Sequence, residues 1–203
     1  MLFFKSIAMQ KNFPLFQSHL DLAHAYWGHL LQRGDWAIDA TCGRGNDTRI
    51  LAELLSDGGV IGIDIQEEAI RETKAVLEAS LPLETFSKIH LFHQSHSDFP
   101  KLAEEVPVKL IVYNLGYLPR GDKKLTTETK STLESVTKAL DLLVPGGALS
   151  IMCYPGHPEG ALEEKALIAM LGALPQALWS VCRHTFLNRK DAPNLILVQR
   201  CFH

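Results

Sequence analysis

Apolar and polar positions along this chain switch repeatedly between two periods. Leu20, Leu22, Ala23, Tyr26, Trp27, Leu30 and Leu31 recur at helical spacing and predict a helix over 17–31, with Ser18 and Asp21 placed as a capping box. Residues 36–38 are apolar and read as a short buried strand, and 49–55 as the helix that follows it. A second strand is expected at 60–64. Next comes an amphipathic helix over 66–81, with Ala69, Ile70, Thr73, Val76, Leu77 and Leu81 on one face. A third strand over 88–92 precedes a short helix over 99–105, which Asp98 is expected to cap. A fourth strand over 108–113 leads to a helix over 127–143. Pro145-Gly146-Gly147 reads as a tight turn into a fifth strand over 148–154. A helix from 158 to about 171 follows, with Pro158 in its first turn. Two strands, 180–186 and 194–199, come last, close enough in sequence to pair antiparallel.

This alternation implies an α/β fold, a doubly wound and mostly parallel seven-stranded sheet with helices on both faces. The closing hairpin implies one antiparallel terminal strand. No repeat, linker or low-complexity segment interrupts the pattern.

Composition narrows the classes. A chain of 203 residues, 46% hydrophobic and 21% charged, is expected to form one domain with a full core, with 1–11 a loose N-terminal extension. Its net charge of −3 gives no global attraction to nucleic acid, so any RNA-facing surface must be local. Cys42, Cys153, Cys182 and Cys201 form no C-x-x-C pair, and two lie in strands expected to be buried, which suggests reduced thiols in a cytoplasmic protein. His19, His24 and His29 recur every five residues and wander around a helix, so no metal site is expected. No apolar run reaches about 18 residues, so no membrane span is expected, and the opening apolar run is too short for a signal peptide.

Candidate chemistry is densest where the first strand ends. Asp39 closes that strand, Gly43 and Gly45 permit a tight turn, and Asn46, Asp47 and Thr48 are residue types that start helices. Strand, glycine turn and helix in this order make a nucleotide or nucleoside cradle at the carboxyl edge of a sheet. Thr48 stands where a dinucleotide fingerprint has its third glycine, and Asp64 ends the second strand, where a carboxylate can accept ribose hydroxyls. An acidic residue ahead of the glycines suits a cation better than a pyrophosphate. S-adenosylmethionine carries a sulfonium, an ammonium and a ribose, and no phosphate. Ser95 and His96, in the loop after the third strand, are expected at the adenine edge.

Four segments together carry a family resemblance: Asp39-Ala-Thr-Cys-Gly-Arg-Gly-Asn-Asp-Thr48; Asp64-Ile-Gln66; Asn114-Leu-Gly-Tyr-Leu-Pro119 with Gly121-Asp-Lys123; and Tyr154-Pro-Gly-His-Pro-Glu-Gly160. From about residue 12 onward the chain resembles a Rossmann-like class I S-adenosylmethionine methyltransferase. More narrowly, it resembles the bacterial tRNA 5-aminomethyl-2-thiouridine methyltransferases, long labelled rRNA methylases. Cys42 and Arg44 depart from the commonest residues of the glycine turn. The resemblance implies S-adenosyl-L-methionine as cofactor, held by Asp39, Thr41, Gly43, Gly45, Asn46, Asp47, Thr48, Asp64, Ile65 and Gln66. It also implies methylation of the aminomethyl nitrogen of a tRNA wobble uridine, and it is compatible with a homodimer.

Asn114-Leu-Gly-Tyr117 resembles the Asn-Pro-Pro-Tyr element of amino-group methyltransferases with both prolines replaced. The Asn114 side chain and the Leu115 carbonyl are expected to accept the amine's N–H groups and aim its lone pair, and Tyr117 to stack on the base. An alkylamine must lose a proton before it attacks. His157 is the first candidate to assist, ahead of Tyr154 and Asp47, against the plainer reading that it shapes a helix entry. Arg120, Lys123 and Lys124, with Arg183, Arg189 and Lys190 on the closing hairpin, are expected to meet tRNA phosphates, against the plainer reading of a solvated loop. Competing functions are an rRNA or small-molecule amine methyltransferase, a non-catalytic nucleoside-binding module and, last, an NAD oxidoreductase.

Overall fold

The computed structural model describes residues 18–116 and 127–202. Helix α1 (His19–Leu30) opens them. Ser18 accepts from the Asp21 N–H at 3.1 Å while the Asp21 carboxylate accepts from the Ser18 N–H at 3.2 Å, which completes the capping box. Then come β1 (Trp36–Asp39), α2 (Asn46–Leu54), β2 (Gly59–Asp64), α3 (Glu67–Ser80), the short α4 (Leu83–Phe86) and β3 (Ile89–His93). The chain continues through a short α5 (Leu102–Glu105), β4 (Val108–Asn114), α6 (Thr129–Leu142), β5 (Leu143–Cys153), α7 (Pro158–Gly172), β6 (Trp179–His184) and β7 (Asn194–Arg200).

The seven strands form one sheet in the order β3-β2-β1-β4-β5-β7-β6. Every pair is parallel except those of β7, which runs against both β5 and β6. The order reverses between β1 and β4, so their carboxyl ends diverge and leave a crevice there.

The central strands are apolar along most of their length because both sheet faces are covered. Alternate residues serve opposite layers. Ala37, Leu110 and Val112 pack with Ala23 and Trp27 of α1 and Leu51 and Ala52 of α2. Ile38, Ile111 and Tyr113 pack with Val136 and Ala139 of α6 and Leu167 and Leu171 of α7.

Four local expectations need correction. Asp98 does not cap α5, whose N-cap is Lys101; its exposed carboxylate lies 3.7 Å from Lys138 instead. Pro145-Gly146-Gly147 is not a separate turn but an irregular start to β5, which bridges to Val108 at Leu143 and shifts register before Leu110. Gly146 supplies the positive φ of 72° there, and a side chain on it would run into the Phe202 ring. Cys182 is exposed, because β6 is the sheet's edge strand. Asn46, Asp47 and Thr48 lie inside the first turn of α2; the N-cap is Gly45, in the left-handed region at φ 74°. No helix among the described residues is long and apolar enough to cross a membrane.

Candidate active site

The glycine turn joins β1 to α2 at the crevice. A Cβ on Gly45 would lie 2.9 Å from the Thr73 Cα, so the start of α2 is pressed against the backbone of α3. Two of the three helix-starting side chains, those of Asp47 and Thr48, reach back to the sheet instead of capping the helix. Thr48 Oγ1 donates to Asp39 Oδ2 at 2.6 Å, and Asp39 Oδ1 accepts from the Thr41 N–H at 3.2 Å. Asp39 is buried, and this pushes its carboxyl up to about 7. Burial is the main cause and the Asp47 and Asp64 carboxylates add to it, against the two hydrogen bonds from Thr48 and Thr41.

Asp64 ties this turn to the next one. Its Oδ2 accepts from the Gly43 N–H and its Oδ1 from the Gln66 N–H, each at 2.9 Å. Both oxygens keep a further lone pair each for hydroxyl donors. Ile65, 63% exposed, lies beside it, and Asn46 is exposed on the first turn of α2. In the loop after β3, the Ser95 hydroxyl is 2.9 Å from that of Ser97, in a local turn. The His96 ring sits edge-on to Tyr113 at 6.1 Å, and burial lowers its pKa to about 4, so it is neutral. Its Nε2 is buried and has no hydrogen-bond partner among the described residues, which leaves one polar atom for a ligand.

Asn114 closes β4 opposite the turn. Its N–H donates to Thr41 Oγ1 at 2.7 Å and its Nδ2 donates to Asp47 Oδ2 at 3.0 Å. A carboxylate can only accept, so the amide must present its NH₂ to Asp47 and carry Oδ1 on the other side. The other Asp47 oxygen is 2.8 Å from His24 Nε2 on α1. Sequence reasoning missed His24. Asp47 is 23 positions away, and no local pattern signals the pair.

Leu115 is buried, and its N–H donates to the Met152 carbonyl. The Tyr154 ring flanks Gly116, and burial with the nearby Asp47 carboxylate pushes its phenol up to about 12. Tyr154 therefore stays protonated and belongs to the same cluster as Asp47 and Asn114. His157 is the N-cap of α7, where its Nδ1 accepts from the Gly160 N–H at 3.0 Å. That bond needs the Nδ1 lone pair, so the helix entry competes with any use of Nδ1 as a base. Tyr117, Arg120, Lys123 and Lys124 lie outside the described residues.

Three carboxylates, those of Asp39, Asp47 and Asp64, thus surround one glycine turn. A phosphate would be repelled there, whereas a ligand with cationic groups and ribose hydroxyls fits the donor set.

Comparison with known proteins agrees. Residues 60–200 match the family model described as "Putative rRNA methylase". The chain is 36% identical, over 188 residues, to the chloroplastic tRNA (mnm(5)s(2)U34)-methyltransferase of Arabidopsis thaliana; the match covers 88% of this chain and 68% of that protein. Among solved structures, the Clostridium thermocellum protein of the same rRNA-methylase description superposes with a TM-score of 0.83 at 33% identity, covering 91% of this chain and 98% of that one. A "putative methyltransferase" from Streptococcus mutans, solved in complex with SAH, gives 0.79 at 30% identity, over 92% and 99%. With its 3-2-1-4-5-7-6 sheet, its carboxylate-ringed glycine turn and these matches, the chain belongs to the rRNA-methylase family of class I, S-adenosylmethionine-dependent methyltransferases.

Proposed function

We propose that this methyltransferase acts on the exocyclic aminomethyl nitrogen of 5-aminomethyl-2-thiouridine at the wobble position of tRNA. The observation that carries the reading is the clamped amide of Asn114. Asp47 holds its Nδ2 at 3.0 Å, so Oδ1 is presented as an acceptor at the carboxyl end of β4. An acceptor fixed there suits an acceptor substrate with N–H groups to donate, as a primary amine has. The name of the Arabidopsis relative, a tRNA wobble-uridine methyltransferase, supports the same choice.

S-adenosylmethionine supplies an electrophilic methyl group on its sulfonium. Asp64 would accept the ribose hydroxyls, with the Gly43 and Gln66 N–H groups fixing its two oxygens. Asp39 and Thr48 form the floor of the turn, Thr41 ties that turn to Asn114, and the exposed Ile65 and the unpartnered His96 Nε2 would meet the adenine. Asn114 Oδ1 and the Leu115 carbonyl accept N–H groups from the amine and aim its lone pair, which contributes through orientation. Asp47 and His24 are positioning residues, because they act through Asn114. His157 is assigned to the α7 cap rather than to proton transfer.

The test is transfer of labelled methyl to tRNA bearing 5-aminomethyl-2-thiouridine, beside unmodified tRNA and rRNA. Label in the aminomethyl tRNA alone, lost with Asn114→Ala while cofactor affinity persists, is the expected result. Label in rRNA would overturn the substrate and keep the cofactor chemistry. No label in any RNA would transfer the reading to a small-molecule amine.

A further inference from the structure

The first helix and the closing hairpin meet in a cationic, aromatic strip outside the site described above. Tyr26 of α1 is 42% exposed, and its ring centroid lies 5.6 Å from that of His184 at the end of β6. Two turns earlier on the same helix, His19 packs 4.6 Å from the Phe186 ring. The Arg189 guanidinium lies 3.6 Å over that same ring, which holds the cation in place. Lys190 follows and is exposed. Burial, aided by the nearby His184 and Arg189, keeps the His19 imidazole below its ordinary range against a backbone hydrogen bond at Pro193. Arg183 on β6 is held by Glu164 at 3.1 Å, and Asp191 is the carboxylate of the loop itself. Neither Arg189 nor Lys190 has a carboxylate partner within ion-pair distance among the described residues.

The sheet register fixes where this strip lies. Asn114 is level with Met152, Met152 with Leu195, and Leu195 with His184. One row therefore runs from the proposed amine clamp to the foot of the hairpin loop, across three strand spacings or roughly 14 Å.

We propose that this strip docks the RNA strand flanking the reacting nucleotide, with phosphates on Arg189 and Lys190 and an unstacked base on Tyr26. The proposal rests on the tRNA reading above. Charge complementarity carries it: in a chain of net charge −3, an RNA ligand needs a local cationic surface, and this one shares the sheet edge with Asn114. Exposed aromatic rings beside cations are how single-stranded loops are held. A two-fold contact with a second copy centred here would bring like charges together.

The test compares wild type with Arg189→Glu/Lys190→Glu, the milder Arg189→Gln/Lys190→Gln, and Tyr26→Ala. The probe is tRNA bearing 5-aminomethyl-2-thiouridine, titrated across a salt series. The charge reversal should weaken tRNA binding about tenfold or more and flatten the log–log salt slope by roughly 1.5, as expected for two lost phosphate contacts. The Gln pair should fall between it and wild type. Tyr26→Ala should raise KM for tRNA about tenfold without changing the salt slope, because stacking releases no counterions. Far-ultraviolet circular dichroism and S-adenosylmethionine affinity should match wild type in all three. If wild type methylates tRNA and the variants bind it with the same affinity and slope, the strip is wrong and the tRNA reading stands. If wild type neither binds nor methylates tRNA, that reading fails and the strip falls with it. If the reversal instead splits a dimer in light scattering with RNA affinity unchanged, the surface joins two copies and the proposal is overturned.

Discussion

His24 Nε2 lies 2.8 Å from Asp47 Oδ1, and the second oxygen of that carboxylate holds the Asn114 amide at 3.0 Å. Three elements far apart in sequence (α1, α2 and β4) thereby fix one side-chain amide. His24→Ala should leave Asp47 free to rotate and Asn114 without a fixed orientation. The expected result is a kcat about 10- to 100-fold lower, with S-adenosylmethionine affinity within about twofold of wild type. Single-turnover methyl transfer together with calorimetric cofactor binding checks this. Equal losses in both quantities would mean that His24 supports the fold and not the amide.

Asp39 should impose a pH dependence on stability. Its carboxyl ordinarily titrates at 3.8 and is raised to about 7 in the folded chain. Between those values the folded state holds a proton that the unfolded state has lost. The Asp39 contribution to stability is therefore fully present below the lower value and is lost as pH rises to about 7, by up to about 4 kcal/mol at about 1.36 kcal/mol per pH unit. Denaturant titrations of the cofactor-free protein from pH 5 to 8 should show this decline, and Asp39→Asn should flatten it. A cationic ligand favours the ionised form, so S-adenosylmethionine should bind wild type more tightly at pH 8 than at pH 6, with little pH dependence in the Asn variant.

Gly45→Ala should be among the costly single-methyl additions. The position has φ 74°, and the new Cβ would lie 2.9 Å from the Thr73 Cα, a backbone atom that cannot step aside. A loss of about 2–3 kcal/mol is expected from strain and overpacking. At about 2–4 °C per kcal/mol for a chain of this size, thermal unfolding should fall by roughly 5–10 °C.

Ser135 joins the core to the loop after β3. Its hydroxyl lies 2.8 Å from the Tyr113 hydroxyl and donates to the His96 carbonyl at 2.7 Å. Ser135→Ala leaves a buried phenol without its partner and should cost about 1–3 kcal/mol. Adding Tyr113→Phe removes the stranded group, so the double variant should be more stable than the sum of the two single losses predicts. A denaturation cycle on the four proteins measures the coupling.

The sheet alternation, the glycine turn and the closing hairpin could all be read from the sequence, because each rests on local chemistry. Gly45 takes a left-handed φ, Asp39 and Asp64 end their strands, and β6 and β7 are separated by one short loop. The exposure of β6 could not be read. Apolar Val181 and Cys182 look buried, but a strand's pattern gives the faces of its residues and not its rank in the sheet. His24 was hidden for a related reason. Its five-residue spacing from His19 and His29 says only that the three do not share a face, while its partner is set by how α1 packs on α2. Asn46, Asp47 and Thr48 have the composition of a cap, yet tertiary partners took two of the three side chains.

The contacts of His19 with Phe186 and of Tyr26 with His184 bridge 167 and 158 positions of sequence. Those partners cannot meet until residue 186 has been translated. At about 5–20 residues per second, the first helix waits many seconds for the hairpin that completes its outer face. The residues of the glycine turn are thus all in place long before those of the strip, and the two are completed at opposite ends of synthesis.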